Sequence, residues 1–391
     1  MRIFFAAADS PNAWALPASQ IWKANLYAPL VDLGHDVVRF DYNYQPHNGH
    51  LDPTDPTQMR VIDRLRPLLG CELLRQLRKA HAQKPIDVLF TYFYSAYIEP
   101  EVIREIRRMG ICTLNWYCNG SFQFHLVSDI APAYDYCLVP EKFRLPDYRA
   151  AGATPIYCQE AANPNVYKPA AVPHEFDVTF VGQRYGNRPD FVKRLIAGGI
   201  DVRVWGPRWT EPMGKKFDPT AATDVMQGKR GAVAQATAAM PAAIADPDQE
   251  LLRRAGDALS DDDLVTMYSR SRISLGFSAV AQRPKPGEDP IRQVRLRDFE
   301  APMSGAFYLT EHLDELCEFF EPDREIVTFR TAEELTDKAA YYLKHPTERE
   351  KIREAGRRRA LAEHTWHERF RMVFRTIGLP ETGTDGLRRV G

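Results

Sequence analysis

Short apolar runs alternate with amphipathic stretches along the whole chain, the pattern of strands alternating with helices. In the first half, Arg2 to Ala8, Asp36 to Asn43, Ile86 to Phe93, Ile111 onward, Ala133 to Val139 and Pro155 onward read as strands. Between them, Gln20 to Leu33, Met59 to Ala82, Glu99 to Met109 and Lys142 to Ala151 carry helical periodicity. The second of these is expected to break or restart near Pro67. Gly34 and Gly110 stand where helices should end. After a turn-rich crossing at Asn163, Pro164, Asn165 and Pro169, the alternation restarts. Phe176 to Val181, DVRVW at 201–205, ISLGF at 273–277, AFYL at 306–309 and EIVTF at 325–329 read as strands. The intervening helices include one starting near Pro189, one capped by Ser260, and three across 331–377. EHLDELCEFF, after Thr310, is amphipathic and is expected to cover the sheet.

This order predicts an α/β fold of two Rossmann-like domains. The expected divisions are 1–168, 169–370 and a helix end with a flexible tail at 371–391. A chain of 391 residues suits two cores, although a single large α/β barrel has comparable length. The alanine-rich stretch from Thr210 to Asp248 fits neither period and reads as an insertion.

Chemistry concentrates after the strands, where open α/β sheets bind ligands. The stretch VRLRDFEAPMSGAFYLT at 294–310 places Arg297 and Glu300 three residues apart on a helical turn, with Gly305 opening the next strand. An arginine there can grip phosphate through its planar fork, and a carboxylate can accept ribose hydroxyls. An ordinary surface Arg/Glu pair would show the same spacing. Gly182 permits close backbone approach, and Arg184 and Arg188 add charge at a helix start. Trp205 offers a face to a base or to the core. Neither GxGxxG nor a P-loop is present. In the first half, Asn115, Trp116, Tyr117, Asn119, Gln123 and His125 combine aromatic faces with polar groups suited to a hydroxyl-rich acceptor. His125 is the side chain there that titrates near neutrality, which makes it the expected proton acceptor.

Composition narrows the classes. With 51 basic and 52 acidic residues, nothing recommends nucleic acid as partner, and the arginine run at 357–359 lies on a glutamate-rich helix. No segment approaches the roughly 20 apolar residues that span a bilayer, and the amino terminus reads as a strand rather than a secretory signal. Six scattered cysteines without a metal-ligand pattern favour a reduced, cytoplasmic protein with no bound metal.

The region from ISLGF through RLRDFEAPMSGAFYLT, LDELCEFFEPDREIVTF, TAEELTDKAAYYLKHPTEREKIREAG and HTWHERF resembles the CgeB-like spore-maturation glycosyltransferase family, within the two-Rossmann GT-B class. IEPEVIREIRRMGICTLNWYCNG and FVGQRYGNR extend the resemblance more weakly. It implies a metal-independent glycosyltransferase that takes a nucleotide-diphosphate sugar as donor and needs no further cofactor. Its partner would be a hydroxyl-bearing glycan, small molecule or protein. Glu300 matches the ribose-binding glutamate, Arg297 a diphosphate contact, and Gly182 and Arg188 the phosphate-side loop. Two positions depart from the pattern: Gln293, seven before Glu300, and Asn119 each stand where a carboxylate is expected. A nucleotide-sugar epimerase and a noncatalytic carbohydrate-binding protein remain alternatives on the same fold.

Overall fold

The computed structural model describes residues 1–10, 19–47, 51–211, 247–280 and 288–383. Most of the predicted insertion at 210–248 lies outside them. Among the described residues, twelve strands form two six-stranded sheets. The first contains β1 (Arg2–Ala6), β2 (Asp36–Arg39), β3 (Val88–Thr91), β4 (Cys112–Trp116), β5 (Tyr136–Val139) and β6 (Pro155–Tyr157), in the order β2-β1-β3-β4-β5-β6. The second contains β7 (Phe176–Val181), β8 (Val202–Trp205), β9 (Ala255–Gly256), β10 (Ser271–Gly276), β11 (Tyr308–Glu311) and β12 (Val327–Phe329), in the order β12-β11-β10-β7-β8-β9. Every pairing between these strands is parallel. Parallel pairing requires helical crossovers and sends every strand's carboxyl end to the same edge of its sheet.

Side-chain caps set helix starts, and Ser260 is the one expected from the sequence. Ser260 accepts a hydrogen bond from the Asp263 backbone N–H at 3.1 Å, and Thr331 and Thr365 cap their helices from the Glu334 and Glu368 amides. One expectation is corrected. The helix Pro56–Gln83 continues through Pro67, because apolar positions on both sides, Ile62, Leu69 and Leu73, hold it against one core. EHLDELCEFF contains one 3-10 turn, Leu316–Glu318, and buries Leu316 and Phe320 in the cluster that includes Tyr308 of β11.

The two sheets are joined beyond the crossing. The last helix, Trp366–Thr376, buries Trp366, Phe370, Val373 and Phe374 in the core of the first sheet. A division at 370 therefore falls inside this helix. Trp366 meets Trp116 edge to face at 5.0 Å, and Ala162, in the crossing, pairs with Thr365. On the cleft side, Ser121 Oγ donates to Gln293 Oε1, and Gln293 Nε2 donates to the Cys118 carbonyl at 3.4 Å. Tyr157 and Gln159 both donate to Glu315 Oε1, at 2.6 and 3.2 Å. The segments leaving β4, β6, β10 and β11 thus touch one another, so the carboxyl edges of the two sheets meet.

Trp366 should be a large single contributor to this union. Trp366→Ala is expected to cost about 3–5 kcal/mol in urea unfolding. Trp366→Phe should cost much less, because the buried indole N–H has no partner to lose. Equal losses in the two variants would contradict this packing role.

Candidate donor and acceptor site

The turn after β7 is shaped by contacts that only glycine permits. A Cβ on Gly182 would lie 2.8 Å from Phe180 Cζ and 3.2 Å from Arg297 Nη2. Gly206, at φ 138°, backs onto it, and a Cβ there would come within 2.3 Å of the Gly182 carbonyl oxygen. Trp209 Nε1 donates to that same carbonyl at 2.5 Å, and the Gly182 amide donates to the Trp205 carbonyl at 2.7 Å. The loops after β7 and β8 are therefore locked together.

Three guanidiniums converge beside this turn. Arg188 starts the helix Arg188–Ala197 and is 3% exposed; it donates to the Gln183 carbonyl at 2.8 Å and to Tyr185 OH at 2.6 Å. Its guanidinium lies 3.8 Å from the Tyr185 ring centroid and 5.2 Å from that of Phe180. Arg297, at the start of the helix Arg297–Met303, lies 5.3 Å from the same Phe180 ring and makes no hydrogen bond or ion pair with a described residue. Arg295 donates to the Ser278 and Ala279 carbonyls at 3.3 and 2.6 Å. Asp298 holds this turn, accepting from the Arg295 amide at 2.7 Å and from Tyr308 OH at 2.6 Å.

None of the three arginines forms an ion pair with a described residue, and each keeps its Nε buried without a partner. Burial, helped by the charges of Arg295 and Arg297 and opposed by Tyr185, pushes the Arg188 guanidinium down to about 9. For Arg297, burial is outweighed by Tyr268 and Glu300, which hold its pKa above the usual value. Glu300 is 2% exposed; its Oε1 accepts from Tyr268 OH at 2.7 Å and its Oε2 is buried with no partner. Burial raises its pKa against the opposing pull of Arg297. The arrangement is a positive, partly desolvated patch with the Glu300 carboxylate beside it, suited to an anion joined to a polyol.

The other expected residues lie elsewhere. Arg184 turns away and donates to the Glu211 carbonyl at 2.8 Å. Trp205 packs edge to face on Phe176 at 5.1 Å and over Gly256. Gly305, at φ 76°, ends the helix Arg297–Met303 against Pro169. On the first domain, three readings are corrected by burial. Trp116 is fully enclosed and donates to the Cys158 carbonyl at 3.2 Å. Asn115 bonds Thr91 Oγ1 and both backbone groups of Phe93, tying β4 to β3. Tyr117 is buried, donating to Gln123 at 2.9 Å. These aromatic and amide groups build the wall and offer no open face. Asn119 is half-buried at the start of a one-turn helix, Gly120–Gln123. His125 is exposed, with Nε2 3.4 Å from Asp52 Oδ2. Sequence reading missed Arg295 and Asp298, although both lie in the stretch it singled out.

Residues 188–375 match a family described as glycosyl transferase-like. That match spans the second half of the chain, and the chain as a whole has the GT-B fold. Its architecture is similar to that of sucrose-phosphate synthase from Thermosynechococcus elongatus (TM-score 0.58, 13% identity, covering 97% of this chain and 99% of that one). It is also similar to Anabaena HepE in complex with UDP (TM-score 0.56, 9% identity, covering 97% and 100%). A glycosyltransferase from Rickettsia africae gives a TM-score of 0.54 at 10% identity, covering 100% and 99%. At these identities the likeness is one of fold. No curated protein matches the chain in sequence. Among the described residues no helix is long and apolar enough to cross a membrane.

Gly206 is the less replaceable of the two glycines beside the guanidiniums. Gly206→Ala is expected to cost about 1–3 kcal/mol in unfolding free energy, since its backbone neighbour cannot rotate away. Gly182→Ala should cost less, because it meets side chains that can shift. Thermal unfolding of both variants checks the order, and the reverse order would contradict it.

Proposed function

We propose that the chain transfers a glycosyl group from a nucleotide-diphosphate sugar to an acceptor hydroxyl, without a metal. Departure of the diphosphate needs positive charge at the leaving oxygen, and preorganised guanidiniums supply it. The observation that carries this reading is the group of Arg188, Arg295 and Arg297 beside Gly182, buried at Nε and without ion pairs to described residues. The diphosphate sits there, and Glu300 Oε2 accepts from the ribose hydroxyls. Support comes from HepE, crystallised with UDP and with UDP-glucose on a similar fold. The sugar faces the first domain, where His125, paired with Asp52, and the half-buried Asn119 hold the acceptor. On this reading residues 1–168 are the acceptor side and the following domain holds the donor. The CgeB-like subfamily is proposed on the residues that carry its resemblance. A cytoplasmic location is supported by six cysteines that are all free thiols.

Calorimetric titration with UDP, GDP and dTDP tests the donor site. Arg297→Ala should weaken binding of the preferred diphosphate by about 1.5–3 kcal/mol, and Arg297→Lys should restore only part, because lysine returns charge without the planar fork. Glu300→Gln is expected to lose a similar amount. Unchanged affinity in all three folded variants would reject the assignment. An altered sugar nucleotide released without acceptor would instead favour the epimerase reading.

A further inference from the structure

Two carboxyl groups at the meeting of the sheets are not used by the donor site. Glu141 follows β5 and Glu160 follows β6, both at carboxyl ends of strands in the first sheet. Glu141 is 2% exposed; its Oε1 accepts from the Ser121 amide at 3.2 Å, while Oε2 is buried without a partner and lies 3.2 Å from where a Cβ on Gly120 would stand. Glu160 is 5% exposed, and its carboxyl makes no hydrogen bond or ion pair with a described residue. The residue before it, Gln159, donates to Glu315 of the second domain at 3.2 Å, which puts Glu160 where the two sheets meet, and the charges that act on it come from both domains. Arg295 belongs to the diphosphate turn, Asp298 and Glu300 to the helix that follows, and Glu141 to the first domain. Burial, with those three carboxylates and against Arg295, pushes Glu160 up to about 8; burial likewise pushes Glu141 up to about 7. A buried carboxyl without a donor is costly, and such groups gather where proton transfer is needed.

Transfer to a hydroxyl requires a proton acceptor, and Asn119 and Gln293 supply amides where carboxylates are expected. His125 is bonded to Asp52 and exposed. We propose that Glu160 takes the proton of the acceptor hydroxyl, a role that rests on the donor reading given above. As the acceptor oxygen bonds to the anomeric carbon, its proton passes to a Glu160 oxygen. The bond from that carbon to the diphosphate breaks, and its electron pair leaves on the nucleotide diphosphate beside Arg188 and Arg297. Glu160 then releases the proton to water. Because the ionised form acts, kcat/KM rises with pH to about 8, and kcat levels only at higher pH because the bound diphosphate opposes ionisation.

The test compares wild type, Glu160→Gln and Glu160→Asp. Diphosphate release from UDP-glucose, GDP-mannose or dTDP-glucose, with water as acceptor, is followed from pH 5.5 to 10. Glu160→Gln should lower the rate by about 10²-fold or more and remove the rise with pH, while still binding the diphosphate; Glu160→Asp should recover part. A Glu160→Gln enzyme with normal rate and profile overturns the inference and points to a donor phosphate as the proton acceptor. Failure of wild type to bind any of UDP, GDP and dTDP would instead reject the donor reading. Carbon-detected titration of glutamate-labelled wild type decides independently of turnover. The carboxyl signal lost in Glu160→Gln should titrate near 8 and move to higher pH when the diphosphate binds, because an added anion disfavours a second negative charge. Titration near 4, or no response to the diphosphate, overturns the proposal.

Discussion

Three guanidiniums held together without a carboxylate in contact are the constraint around which the second domain is arranged. Charge withdrawn from water must find a partner or lose its proton, and Arg188, already pushed down to about 9, shows that tension. Phe180 carries Arg188 and Arg297 at 5.2 and 5.3 Å from its ring, a favourable but weak substitute for a counter-ion. Asp298 fixes the turn that presents Arg295 and Arg297 while spending its own oxygens on a backbone amide and Tyr308. Asp298 thus builds the turn instead of neutralising it, while Glu300 supports the charge of Arg297 without an ion pair. On the proposed reading an anion with several oxygens completes the set.

The same reasoning links this patch to the first domain. Parallel pairing brings all the loops of each sheet to one edge, and the contacts of Ser121 with Gln293 and of Tyr157 and Gln159 with Glu315 bring the two edges face to face. Glu160 sits where they meet, next to Gln159. On the proposed reading, a bound diphosphate opposes ionisation of Glu160, which couples donor binding to proton transfer through electrostatics. The last helix makes this geometry durable. Trp366 and Phe370 carry the chain from the second domain back into the first core and fasten the domains opposite the cleft.

Much of the fold was legible because its signals are local. Apolar runs of strand length, Ser260 as a cap, and glycines after helices each act within a few residues. Pro67 misled because its cost is local whereas the burial of Ile62, Leu69 and Leu73 around it is tertiary. Arg188, Arg297 and Glu300 were visible through spacing and resemblance, and they fall together. Arg295 escaped notice because a charge before a helix looks like solvated surface until the β10 loop folds over it. Asn115, Trp116 and Tyr117 looked like ligand contacts because residue type alone does not say which way a strand end faces. Glu160 had no motif at all; its loss of solvent and of hydrogen-bond donors exists only once the two sheets meet.

The central claim is that the guanidinium cluster binds the diphosphate of the donor. Calorimetric comparison of UDP, GDP and dTDP with their parent nucleosides tests it most directly, since the pairs differ only in the group the cluster should hold. The account predicts that at least one diphosphate binds and that its nucleoside binds about 100-fold more weakly or worse, a difference of about 3 kcal/mol. Equal affinity of a diphosphate and its nucleoside, or no binding of any diphosphate to the folded protein, would contradict it.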